Sequence, residues 1–470
     1  MAARNTSGTR GRGTQGVADG LRGISSALTS WLTRPLASFH LLLAAFGLLT
    51  AFGMVMVLSA SSVESFSQQG SSYSVFLKHL LHCLAGAVCC YVAMRMPVWM
   101  LRRFSHVFLL VCLVLLSLVL TNLGFENNGA QSWFRLGPVS FQPVEPAKIA
   151  LALWGAHVLV TKRALLGQYR HLLVPVLPAA LLMFALVMMQ PDFGSTVTLG
   201  IVLLALLWFA GAPLRLFSAL VLGAVTGMLA LIFLFRYQIT RVTSFFDSGS
   251  GNDDKSFQAT QALLALADGG MFGEGIGRGW SKWQYLPEAD NDFIFAVLGE
   301  ELGFVGCASV LLLFGTVAYV GMRIAARNTD PWIKLVSATL TMWLVGQAAI
   351  NIGYVVGLLP VTGLPLPLIS SGGSSVVTTM VVFGLLANFA RHEPEAISAL
   401  RSLGPGKIGK LLRLPTPSPY RPPASRRPAG AANPRRPQPA KPSGKKNRSE
   451  GPNPGKRRTP SGQRRSGSPR

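Results

Sequence analysis

Ten stretches of this 470-residue chain are apolar over about the length that crosses a bilayer, and that property leaves few folds open. They cover 38–60, 75–94, 104–122, 147–161, 171–189, 194–211, 214–235, 293–322, 332–358 and 374–390. In lipid every backbone polar group must find a partner within the protein, which a helix achieves inside one segment. Hydrophobic residues make up 50% of the chain and charged residues 13%, so water-soluble folds are excluded as well. The expected class is an all-α polytopic membrane protein of about ten transmembrane helices. A large extracytoplasmic loop joins the seventh and eighth. Residues 1–36 and 395–470 are expected to be disordered, flanking a membrane domain at 37–394.

Charge orients the bundle. Arg95, Arg102 and Arg103 follow the second run, Lys162, Arg163 and Arg170 the fourth, and Arg323, Arg327 and Lys334 surround the turn after the eighth. Residues 61–74 carry no Lys or Arg. The positive-inside rule therefore puts both termini in the cytoplasm and residues 236–292 outside. Of the 43 Lys and Arg residues, 19 lie in 401–470 against a single acid, Glu450. The basic character is mostly that of a Pro-rich tail suited to anionic lipid or an acidic partner, and it does not imply nucleic acid. Cys83, Cys89, Cys90, Cys112 and Cys307 all sit in apolar runs, without the spacing of a zinc site or a disulfide framework.

Chemistry concentrates in 285–302, YLPEADNDFIFAVLGEEL, where Glu288, Asp290 and Asp292 precede an apolar run that contains Glu300 and Glu301. Acids at membrane depth usually mark a functional cavity, although Asp is also a favoured helix N-cap. Counting 100° per residue places Glu300 roughly on the side of Asp292 and Glu301 opposite, where it would partner another helix. The loop NLGFENNGAQSWFRLGPVSFQPVE brings Trp133 and ends on Glu145, with Lys148 three residues on, at ion-pairing distance. Asp192 could cap the sixth run. Gln347 and Asn351 share one helix face and suit hydrogen bonds between helices. The alternating glycines of MFGEGIGRGWSKW read as a flexible loop in which Arg278 or Lys282 could close over an anion. In PVTGLPLPLISSGGSS, Ser371, Gly372 and Gly373 offer helix-start amides to a phosphate.

The order of these segments, with QPDFGS between them, resembles the SEDS proteins of shape, elongation, division and sporulation over about 38–394, most closely the division branch in its actinobacterial form. The resemblance implies a peptidoglycan glycosyltransferase of the bacterial cytoplasmic membrane that polymerises lipid II at the division septum. Its partners would be a class B penicillin-binding protein and other divisome proteins. An elongation-type polymerase and a lipid II transporter are the alternative readings. The family's catalytic acid falls on Asp292, and Trp133, Glu145, Lys148, Arg241 and Glu300 match motif positions near the proposed cavity. Arg241, Lys148 and the Ser371–Ser374 amides would hold pyrophosphate. Glu288, Asp290 and Asp292 could together bind Mg²⁺ or Mn²⁺. The chain departs from the family at Val144, Asp268 and above all Asp290, where His is usual. An acid there would raise the proton affinity of Asp292 by like-charge coupling.

Overall fold

The computed structural model describes residues 33–127, 130–137, 139–163, 173–234 and 254–420. Each of the ten apolar runs becomes a helix: α1 Ala37–Gln69, α2 Ser74–Arg95, α3 Val98–Leu118, α4 Val144–Thr161, α5 Val176–Met188, α6 Phe193–Phe209, α7 Leu214–Leu234, α9 Ile294–Arg327, α10 Pro331–Val355 and α11 Gly373–Ala390. Six of these (α1, α2, α3, α9, α10 and α11) are long and apolar enough to cross a membrane. Shorter apolar helices, α5 to α7, complete the bundle together with α4, which carries an internal ion pair. The chain is a multi-pass membrane protein. An amphipathic helix, α8 Asp254–Asp268, and a π-helical turn at Ser281–Tyr285 occupy the loop before α9.

Burial separates centre from rim. The apolar cores of α11 and α10 are buried over 83% and 67% of their length, that of α2 over 22%. α2 nevertheless lies close along α11, because Gly384 faces the Cys90 carbonyl and the Met380 side chain fills the space that a Cβ at Gly86 would take. Small residues at such crossings let helix backbones approach. Asn388 Nδ2 then donates to the Ala93 and Met96 carbonyls at 3.0 and 2.7 Å and fixes the register of the pair.

Two features go beyond the sequence reading. In the loop before α4, β1 Phe125–Asn127, β2 Ala130–Leu136 and β3 Val139–Phe141 form an antiparallel sheet in the order β1-β2-β3. Phe134 pairs with Phe141, and the Arg135 guanidinium lies 3.9 Å over the Phe125 ring. Cross-strand aromatic contacts of this kind stabilise strands too short to announce themselves by alternation. The tail, too, starts later than expected. α12 Pro394–Ser402 and α13 Lys407–Leu411 are ordered, with Ala396, Ile397, Leu400 and Leu414 buried. That apolar stripe supplies the packing that a Pro- and Arg-rich composition alone would not suggest.

Candidate functional site

Helix α9 starts at Ile294 with Phe293 at its N-cap and no side-chain capping bond, so Asp292 does not take the capping role open to it. Asp292 belongs to a turn whose successive carbonyls are each held. The Asp290 carbonyl accepts from the Ser371 amide at 3.0 Å, and that of Asn291 from Ser370 Oγ at 2.7 Å. The Asp292 carbonyl accepts from Asn351 Nδ2 and from the Tyr354 hydroxyl, both at 2.9 Å. Gln347 Nε2 donates to the Pro365 carbonyl at 2.9 Å. Gln347 and Asn351 therefore do not join helix to helix as expected. They supply donors from α10 to irregular backbone, which inside a bundle has no water to turn to.

Beside this turn lies a cavity of about 410 Å³. Of the residues singled out in the sequence, Trp133, Glu145, Glu288, Asp292 and Gly372 line it; Gln142, Asp192, Asn291, Thr362 and Ser375 join them. Among the described residues the lining holds four carboxylates and no Lys or Arg. Asp192 caps α6 through the Ser195 amide at 2.9 Å and accepts from Gln142 Nε2 at 2.8 Å. Glu145 pairs at 2.9 Å with buried Lys148, whose ammonium sits 4.6 Å over the Trp343 ring. Lys148 thus stands behind the wall and does not line the cavity. Glu288 adopts φ 56°, and Asn291 Nδ2 lies 3.4 Å from its carboxylate.

Gly372 is the N-cap of α11, again without a side-chain cap, and Gly372 and Ser375 both face the cavity. The positive end of the helix dipole is therefore the one cationic influence the described lining offers. Ser374 Oγ anchors this end to β3, accepting from the Gln142 amide at 3.1 Å and donating to the Ser140 carbonyl at 3.2 Å. Gly373 is demanded by packing, since a Cβ there would come within 2.6 Å of the His82 ring. The Ser371 and Gly373 side positions fall behind the lining. Sequence reasoning missed Gln142, Tyr354 and Ser370, which lack charge and gain meaning only from their distant partners.

Asp290 is turned toward Ser371. Burial pushes its carboxyl above the usual range, the Ser371 hydroxyl opposes this, and the neighbouring Glu288 adds to it. The like charge that raises it is Glu288.

Glu300 and Glu301 have other duties. Glu300 accepts from the Trp280 and Ser281 amides and from the Ser281 hydroxyl. Glu301 accepts from Ser59 Oγ of α1 at 2.6 Å and pairs with buried Lys282 at 3.1 Å. Partnership with another helix was expected for Glu301; a place beside Asp292 was expected for Glu300 and is not found. The angular count assumed one helix through both residues, whereas Asp292 precedes the helix. Lys282 is committed to Glu301, and exposed Arg278 does not line the cavity. Nor is the glycine-rich loop a loose flap. α9 breaks at Gly303 (φ 65°), and its backbone there pairs with the loop: Glu274 and Gly275 amides to the Glu300 and Glu301 carbonyls, Phe304 and Val305 amides to those of Gly270 and Met271. Arg241 lies outside the described residues.

No three His, Cys, Asp or Glu side chains converge as a metal cage among the described residues. Glu288, Asp290 and Asp292 do not form one, because Asp290 faces Ser371.

The FtsW/RodA/SpoVE family model, described as a cell cycle protein, matches residues 39–395. The chain is 49% identical over 395 residues to the probable peptidoglycan glycosyltransferase FtsW of Mycobacterium tuberculosis, covering 84% of this chain and 75% of that protein. It is 35% identical over 346 residues to stage V sporulation protein E of Bacillus subtilis, covering 73% and 94%. Among solved structures, it superposes with a TM-score of 0.61 at 26% identity on a chain of a peptidoglycan synthase complex described for its coordination of polymerization and crosslinking. That match covers 77% of this chain and 99% of the other. The rod shape determining protein RodA of Thermus thermophilus superposes with a TM-score of 0.54 at 26% identity, covering 78% and 99%.

Proposed function

Since the chain belongs to the FtsW/RodA/SpoVE family of cell cycle proteins, we propose that it is a peptidoglycan glycosyltransferase whose chemistry is centred on Asp292. The observation that carries this reading is the placement of Asp292: it lines the cavity, and its main-chain carbonyl is held in place by Asn351 and Tyr354. A catalytic group has to be held still by something other than its reacting atoms.

The reaction joins a sugar hydroxyl to the anomeric carbon of lipid II and releases undecaprenyl pyrophosphate. Asp292 takes the proton from the attacking hydroxyl as general base. Trp133 offers a flat apolar wall to a sugar ring. The α11 amides near Gly372–Ser375 stabilise the departing pyrophosphate, and Glu145, braced by Lys148, keeps the cavity wall opposite them in place. Four carboxylates without a cation would repel pyrophosphate, so further positive charge has to enter. Arg241 is one source. A Mg²⁺ or Mn²⁺ ion would be the other: Asp292 or Glu288 would hold it, and it would neutralise charge on the leaving group.

The division septum is the proposed site of action, with both termini cytoplasmic and a class B penicillin-binding protein crosslinking the product. Purified protein given lipid II, with and without that partner, tests the reading. Glycan strands are the expected product; intact lipid II in both reactions, from folded protein, overturns it.

A further inference from the structure

A second cavity, of about 390 Å³, lies at the end of the bundle opposite Asp292, where α4, α6, α9 and α10 come together. Its chemistry is the reverse of the first. Arg163, just past α4, and Lys334, on the first turn of α10, line it, and among the described residues no carboxylate does. Asp330, next to the lining residue Pro331, is buried and spends its side chain on capping α10, accepting from the Trp332 amide at 2.9 Å. Between the two cations the walls are apolar: Leu159, Val160, Phe209, Met322, Leu335 and the small Ala326. Nothing in the proposed transfer of sugars uses this cavity.

We infer that this cavity binds the phosphodiester headgroup of an anionic phospholipid between Arg163 and Lys334, with the start of its acyl chains on the apolar walls. Charge complementarity selects an anion, since two cations from separate elements face one chamber whose described lining holds no countercharge. The walls select an amphiphile over inorganic phosphate, which would leave them in contact with water. Position agrees: α4, α6 and α9 all end here, at the depth where long basic side chains reach from apolar stems to headgroups.

Native mass spectrometry of the full chain, released from detergent with added phosphatidylglycerol or phosphatidylcholine, reads this directly. The wild type should retain phosphatidylglycerol preferentially. Arg163→Gln/Lys334→Gln should weaken that retention about tenfold or more, from ~1 kcal/mol per basic residue near the headgroup. Ala326→Phe, which fills the chamber and keeps both cations, should weaken it as well. Arg103→Gln/Arg215→Gln, at exposed cations outside the lining, should retain phosphatidylglycerol like the wild type. Melting curves without lipid check that each variant is folded. Unchanged retention in both cavity variants overturns the site. Equal loss in the control pair reduces it to general surface charge, and equal protection by inorganic phosphate removes the acyl component; either result overturns the proposal.

Discussion

Asp292 and the pair Glu300–Glu301 stand within one short segment, yet the protein treats them in opposite ways. Around Glu300 and Glu301 the carboxylates themselves are the anchors. Each accepts from a serine hydroxyl, Glu301 also holds Lys282, and together they pin the Trp280–Lys282 turn. Around Asp292 the backbone is anchored by Asn351 and Tyr354, and the residue lines a cavity. The difference teaches where to look for chemistry in a membrane bundle. Buried acids are costly in either place, but a carboxylate spent on donors of its own chain is structure. At Asp292 the main chain is held, and the residue lines the cavity that a substrate would enter.

The largest effect should come from breaking that contrast at Asp292. Asp292→Asn keeps size and polarity and removes the base, so polymerisation of lipid II should fall by ~10²–10⁴ while the melting temperature stays put. Near-wild-type strand formation by folded variant would put Asp292 on the structural side of the comparison. Glu301→Gln should do the converse. It leaves Lys282 buried without its countercharge, and losing one partner of a buried pair costs ~3–5 kcal/mol. Melting of the purified variant should drop sharply, and adding Lys282→Met should recover most of the loss, because two neutral groups of similar size need no pairing. A double variant no more stable than Glu301→Gln would mean the pair is not the anchor.

A smaller loss is expected at Gly273. It sits at φ 77° against the Glu301 carbonyl, where an added Cβ has no room. Gly273→Ala should cost about 2 kcal/mol from strain and forced displacement, read as a lower melting temperature. An unchanged melt would show that the loop yields easily, as a flexible loop would.

That glycine also marks the limit of the sequence. The ten helices were legible because apolar length is a local property, and Asp192 as a cap and Glu145 with Lys148 as a pair were legible because partners three residues apart meet on any helix. The break at Gly303 was not, since its freed backbone is satisfied by residues about 30 positions earlier, near 270–275. The same holds for Glu300. Its partner Ser281 lies across a turn, and no helical wheel drawn through 292–300 could place it. The sheet at 125–141 escaped for a related reason: β1 and β3, of three residues each, carry no periodicity, and their stability comes from pairing with β2.

The smallest and sharpest test lies between the two regions, at Asp290. Its carboxyl is raised above the usual range, first by burial and then by Glu288, despite the Ser371 hydroxyl. A raised acid binds its proton more tightly folded than unfolded, so its contribution to stability falls as pH rises through that range. Asp290→Asn removes the ionising group and keeps an acceptor for Ser371. Wild type and variant should therefore melt alike at acidic pH, where Asp290 is protonated in both states. Above the ordinary carboxylate range the variant should melt higher, with a gap that grows until the wild-type carboxylate has ionised in place and then levels off. A gap that narrows with pH would mean that Asp290 is stabilised as the anion, by a donor or a cation beyond Ser371. Polymerisation by the same variant carries the comparison to Asp292. If Glu288 is the acid that Asp290 senses, the pH–activity profile should keep its shape, and a profile shifted to lower pH would show instead that Asp290 and Asp292 titrate together.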